Sequence, residues 1–291
     1  MVSMATPVLL LLRDPAGSPG FDSADPGQSA ASAFDLGITR GDGIFETITV
    51  IGGIPQALDA HLARFARSAA LLELPEPHQA AWRGAVFAAI DAHDEAIEAF
   101  VKLIYTRGIE GTDSPTGWVS MLPSADFTTE RTAGVAVVLL DRGYHSTIAQ
   151  TSPWLLQGAK TLSYAINRAA AREAHRRGAD DVIFVSTDGL LLEGPSSTVV
   201  LKLDGRIVTP ETTLGILPGT TQESIFEIAR VNGYPTAYER LTPDDLARAD
   251  AAWLVSSVRN AAPIRSVDGR ARAVDAELTE SINAGLAART Q

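Results

Sequence analysis

Apolar and polar positions alternate along GIFETITV (Gly43–Val50), the period of a strand buried on one face. Gly52-Gly53 then reads as a hairpin turn and IPQAL as the returning strand. The period changes at once. Leu58, Leu62, Phe65, Ala69 and Leu72 recur at steps of three and four, which predicts a helix over about Ala57–Glu73 with a single apolar face. A second helical pattern runs over about His78–Ile97, followed by two strands, FVKLIYTRG and GWVSML. The Gly- and Pro-dense stretch Asp14–Gly27 reads as a loop.

Around Pro123–Thr132 the pattern lapses into Ser, Asp, Thr and Glu, a candidate boundary between two blocks. The second block begins with the apolar strand GVAVVLL and a helix over about Leu162–Arg177 closed by Gly178. Two strand-turn-strand units follow, DVIFVS and LLLEG around Asp188-Gly189, then TVVLKL and RIVTP around Asp204-Gly205. After the loop LGILPGTT come a helix from about Gln222 to Asn232, stopped by Gly233, and the strand AAWLVSS. These patterns predict two α/β domains, a smaller one over residues 1–125 and a larger, hairpin-rich one over 133–291, an α+β architecture.

Composition narrows the chemistry. The chain of 291 residues is 45% hydrophobic and 20% charged, an ordinary balance for a globular protein. It has no cysteine, which excludes disulfides, thiolate metal sites and thiol catalysis. A net charge of −11 argues against a nucleic-acid or anionic-membrane surface. The apolar run Val8–Leu12 is too short for a signal peptide or a span, and no stretch approaches eighteen apolar residues, so a cytoplasmic protein is expected. Of 24 basic residues only Lys102, Lys160 and Lys202 are lysines. Codon usage accounts for such a bias, but a guanidinium stays protonated and cannot act as an amine nucleophile. Amine chemistry therefore has three candidates.

Motif searches remove other classes. Gly41 and Gly43 lack the later glycine and the following helix of a dinucleotide fingerprint, and GILPGTT has no Walker lysine. His61, His78, His93, His145 and His175 show no HxH or HxxxH spacing, so no metal site is expected. There is no GxSxG elbow. What remains is a set of anion-binding and amine features. Gly219, Thr220 and Thr221 stand at a helix start, where backbone N–H groups and the dipole favour a phosphate, although threonine is also a common cap. Lys160 sits in an apolar neighbourhood before a helix; desolvation there would lower its pKa, while an exposed lysine would be inert. Glu193 ends an apolar strand, where a carboxylate either meets a cation or faces water.

KTLSYAINRAA, DVIFVSTDGLLLEGPSSTVVLKLDGRIVTP and LGILPGTTQESI, in this order, resemble the fold-type IV pyridoxal-phosphate enzymes, the class IV aminotransferase family. RGDGIFETITVIGGIPQALDAHLARF is similar to that family's opening strand, hairpin and helix, and the resemblance spans roughly Thr39–Ile264. It implies the two-domain fold of that family, a pyridoxal 5'-phosphate cofactor and a homodimer. It implies Lys160 as the Schiff-base and proton-transferring lysine, and Glu193 as partner of the ring nitrogen. Arg64, Gly219, Thr220, Thr221 and Ser257 would serve the phosphate. Thr198, Val200 and Gln222 depart from the family's Asn, aromatic and basic residues.

Two reactions share these groups. GDGIFET and the turn YTRG look like 4-amino-4-deoxychorismate lyase, which yields pyruvate and the folate precursor 4-aminobenzoate, and the chain length suits the compact members. Transamination of D-amino or branched-chain amino acids is the alternative. Either substrate carries an amine and a carboxylate. Arg107 would bind the carboxylate through its planar fork, with Tyr105 on the same wall; a surface charge at a turn is the plainer role for Arg107.

Overall fold

Why the chain closes into two bodies is visible in its strand pairing. The computed structural model describes residues 7–28, 30–93 and 98–289. Residues up to Ala125 together with Ala159–Tyr164 form one compact unit, and Asp126–Gly158 with Ala165–Arg289 form the other. The sequence pattern placed residues 159–164 with the second block; their backbone pairing puts them in the first.

The first unit is built on an antiparallel sheet of β1 (Val8–Leu12), β2 (Phe21–Ala24), β3 (Gly43–Ile51), β4 (Ile54–Pro55), β5 (Glu98–Thr106) and β6 (Thr116–Pro123). Their order is β2-β1-β6-β5-β3-β4. Among the described residues three helices accompany it: α1 (Leu36–Thr39), α2 (Leu58–Leu71) and α3 (Gln79–Asp91). Inward positions Ile44, Ile48, Val101, Leu103, Tyr105 and Val119 are all sealed, as period-two alternation requires of a face covered by helices. Leu58, Leu62, Phe65 and Ala69 of α2 and Trp82 and Ala85 of α3 close that face. Phe65, Trp82 and Tyr105 form an aromatic cluster with centroids 4.8, 5.7 and 6.1 Å apart. Burying three such rings supplies much of the unit's driving force.

Three expectations change here. The stretch read as a loop, Asp14–Gly27, contains β2, which pairs with β1 through Leu9–Ala24 to Leu12–Phe21. The returning strand after Gly53 is only two residues long, because Leu58 already starts α2. The second helix ends at Asp91, and the tail of its expected range, residues 94–97, lies outside the described residues.

The second unit holds β7 (Val135–Asp141), β8 (Asp181–Val185), β9 (Thr198–Leu203), β10 (Arg206–Pro210), β11 (Thr236–Glu239), β12 (Ala251–Ser256), β13 (Asn260–Val267) and β14 (Arg270–Ala271). The order is β11-β10-β9-β12-β13-β7-β8, with β14 on β13. Its helices are α4 (Thr128–Thr132), α5 (Ile148–Thr151), α6 (Ala165–Arg176), α7 (Thr220–Val231), α8 (Pro243–Arg248) and α9 (Ala276–Ala287). Val199 and Leu201 pack with Leu246 of α8, while Val200 and Trp253 pack with Phe226 of α7 and Ile282 of α9. Both sheet faces are thus covered, which is why TVVLKL reads as a continuous apolar run rather than an alternation.

LLLEG is not a strand. Leu191 donates to Leu241 O, while Leu192 donates to Phe184 O and Phe184 donates to Glu193 O. Its hydrogen bonds are divided between two partners, and only the bridge Val185–Leu191 survives.

Candidate active site

In the first unit the chemistry gathers at β3. Glu46 occupies an inward position between Ile44 and Ile48 and is fully buried. Such a carboxylate is tolerable only when paired. Arg64, one turn along the inner face of α2 from His61, supplies the pair: Nε to Oε1 and Nη2 to Oε2, both 2.7 Å. His61 Nδ1 lies 2.7 Å from Oε2. Because an ionised carboxylate only accepts, His61 donates through Nδ1–H. Burial by itself would raise the Glu46 pKa, but the Arg64 charge and these hydrogen bonds outweigh it and hold the carboxyl well below the usual range. Burial lowers the His61 pKa, against the pull of Glu46, so the imidazole is neutral.

Lys160 arrives on the outer edge of the same strand. Phe45 N–H donates to Lys160 O at 3.0 Å, Leu162 N–H donates to Gly43 O at 2.8 Å, and Ile44 bridges Thr161. Lys160 N–H donates to Ser68 Oγ of α2 at 3.1 Å. This pairing explains why α6 begins at Ala165 and not at Leu162. Gly43 makes the approach possible, since a Cβ there would stand 2.7 Å from Tyr105 O and 2.8 Å from Leu162 Cδ1. The ammonium of Lys160 lies 4.5 Å from the centroid of Phe45, whose ring meets Tyr164 edge-on at 5.6 Å.

Lys102 also reaches Phe45, at 5.4 Å. The side chain is half-buried, and burial lowers its pKa. Lys202, the third lysine, is ion-paired with Asp275 at 3.0 Å.

In the second unit Glu193 lies half-buried in the loop after β8 and accepts Leu217 N–H at 3.1 Å. Its charge reaches Tyr144, whose pKa is raised by burial first and by Glu193 in addition. Leu217 begins the turn into α7, whose N-cap is Gly219, without a side-chain cap. Thr220 and Thr221 occupy the first turn and are buried. The cap must be glycine, because a Cβ at residue 219 would collide with Thr198 Oγ1. Ser257 follows β12 and is half-buried.

The two residues expected to meet substrate already have partners within the first unit. Tyr105 is sealed beneath α3, donating its hydroxyl to Pro75 O at 3.1 Å, and burial pushes its pKa up to about 12. A side chain facing the helices cannot line the opposite wall of its strand. Arg107 holds Asp42 with Nε (2.6 Å) and Nη2 (3.2 Å), and reaches Leu72 O and Glu73 O at the end of α2. A substrate carboxylate would have to displace Asp42 to take that fork. Among the described residues no group of three or more His, Asp or Glu is placed to hold a metal.

Glu46, His61 and Phe45 were not singled out by sequence. The available signal was parity: a glutamate at an apolar position of an alternating strand, and His61 and Arg64 three apart on the inner face of an amphipathic helix.

Comparisons with known proteins give the family. The family model for amino-transferase class IV matches residues 43–267. A Mycobacterium tuberculosis protein named bifunctional aminodeoxychorismate lyase / D-amino acid transaminase is 45% identical over 84% of this chain and 88% of its own length. A fold IV transaminase from Curtobacterium pusillum superposes with a TM-score of 0.95 at 55% identity, covering 98% of this chain and all of that one. A hypothetical aminotransferase from Mycobacterium tuberculosis in a PLP-bound form gives 0.89 at 41% identity, over 96% of this chain and 98% of that one. The chain belongs to the class IV aminotransferase family and is a pyridoxal-phosphate enzyme.

Proposed function

We propose that this enzyme is a 4-amino-4-deoxychorismate lyase that releases 4-aminobenzoate and pyruvate. The observation carrying this reading is the 45% identity, over most of both chains, to the relative named for that activity. Transamination of D-amino acids is the second reading, favoured by the other half of that relative's name and by the likeness to the Curtobacterium transaminase. A cytoplasmic homodimer goes with either, on the strength of the family resemblance.

The residues suit the cofactor. A glycine-capped, buried helix start with two threonines offers backbone donors and hydroxyls to a phosphate, and the dipole there favours negative charge. Gly219, Thr220 and Thr221 are assigned to that role, with Ser257 as a further contact and Arg64 as the cationic one, its orientation fixed by Glu46. Glu193, a carboxylate in a half-buried loop, is assigned to the ring nitrogen. When bound, the cofactor would supply an electron sink for the electron pair left behind when the carbon beside the amine loses its proton.

Lys160 would supply the amine that holds the cofactor and would carry the proton. Its main chain is pinned at both its N–H and its carbonyl while its side chain lies along Phe45, so the nitrogen is delivered from a fixed base.

The test supplies 4-amino-4-deoxychorismate, generated in situ, and follows 4-aminobenzoate by its fluorescence, with D-amino acids and a keto acid assayed in parallel. Formation of 4-aminobenzoate supports the lyase. Fast keto-acid formation with no 4-aminobenzoate would overturn it in favour of the transaminase.

A further inference from the structure

Lys102 is a half-buried cation with no carboxylate partner among the described residues. Its register partner is Thr47 of β3, so it projects from the same sheet face as Phe45, two residues away. Two ammonium groups therefore converge on one ring, Lys160 at 4.5 Å and Lys102 at 5.4 Å. Lys202 shows what a purely structural lysine looks like in this protein: it is closed by Asp275, which raises its pKa. At Lys102 burial acts alone and lowers it. Holding a charge in such a place without a counter-ion is unfavourable, and an anionic ligand reverses the sign.

We infer that Lys102 is a specificity-determining residue that receives a second carboxylate of the substrate, so that the enzyme favours molecules carrying two. This rests on the amine chemistry proposed for Lys160. Mass balance agrees with it, because 4-aminobenzoate and pyruvate each leave with a carboxylate and their common precursor carries both. Among amino acids the corresponding class is the dicarboxylic one. Both ammonium groups lie within reach of one ring, which bounds the distance a bound molecule has to span.

The test uses holoenzyme with Lys102→Met, which keeps the stem, and Lys102→Arg, which keeps the charge. Lys102→Gln serves as a second neutral variant, and melting temperature is followed throughout. The first readout is the ratio of kcat/KM for D-glutamate to that for D-alanine. It is expected to fall about tenfold or more in the neutral variants and to recover in Lys102→Arg, as loss of a charge-assisted hydrogen bond implies. The second is calorimetric binding of glutarate, an unreactive dicarboxylate, against butyrate. Glutarate should weaken more than butyrate in the neutral variants. An unchanged ratio, or equal losses for both acids, overturns the inference. An enzyme that neither makes 4-aminobenzoate nor transaminates would sink the proposed reactions while the glutarate measurement still decides the role of Lys102.

Discussion

The two faces of the first sheet treat charge in opposite ways. On the helix-covered face, Glu46 is sealed with Arg64 and His61 in a network that satisfies both carboxylate oxygens. On the other face, Lys102 and Lys160 lean on Phe45. Only two residues of β3, Phe45 and Glu46, separate these environments. The alternation of a strand places chemistry on one side and its support on the other, so adjacent residues serve different ends.

Lys160→Ala tests the open face most severely. Activity should fall by about 10²–10⁴-fold, the contribution expected of a proton-transferring group, with little change in melting temperature because the anchoring bonds of residue 160 are main-chain. A borohydride-sensitive visible band in the wild type, absent from the variant, would separate loss of the amine from misfolding. A large loss of stability in Lys160→Ala would erase the contrast between the faces.

Arg64→Met tests the sealed face. Near neutral pH it should cost about 3–5 kcal/mol by denaturant titration, since it strands a buried carboxylate. The wild-type sign follows from two depressed pKa values. The unfolded chain binds more protons than the folded one, so stability is lost on acidification, first below 6.5 for His61 and then below 4.5 for Glu46. In Arg64→Met the deficit should narrow at acid pH, because protonating Glu46 removes the stranded charge. A deficit independent of pH would mean that lost packing, not charge, dominates. Tyr105→Phe is the mildest case: removing the hydroxyl that serves Pro75 O should cost about 1 kcal/mol and leave kcat/KM unchanged. A selective loss of activity would return Tyr105 to the substrate wall.

Much of this was legible in the sequence where one interaction decided the outcome. Leu58, Leu62, Phe65 and Ala69 announced α2, and Gly219 with two threonines announced the start of α7, because helix period and capping are local. The fate of LLLEG was not legible, since its backbone divides between Phe184 and Leu241, far apart in the chain. Tyr105 was misplaced for a related reason: neighbouring Arg107 drew attention to a turn, while strand parity alone put the phenol under the helices. What surrounds Lys102 was not legible either, because alternation says which face a residue takes, not what else reaches that face.

The edge position of residues 160–162 has a consequence for synthesis. A nascent chain that has emerged only to Ala125 has all six strands of the first sheet, yet Gly43–Phe45 still presents an unpaired margin, the kind that invites pairing with a neighbouring chain. That margin is covered only when the segment bearing Lys160 leaves the ribosome. The same peptide that carries Lys160 therefore also completes the pairing of the β3 edge.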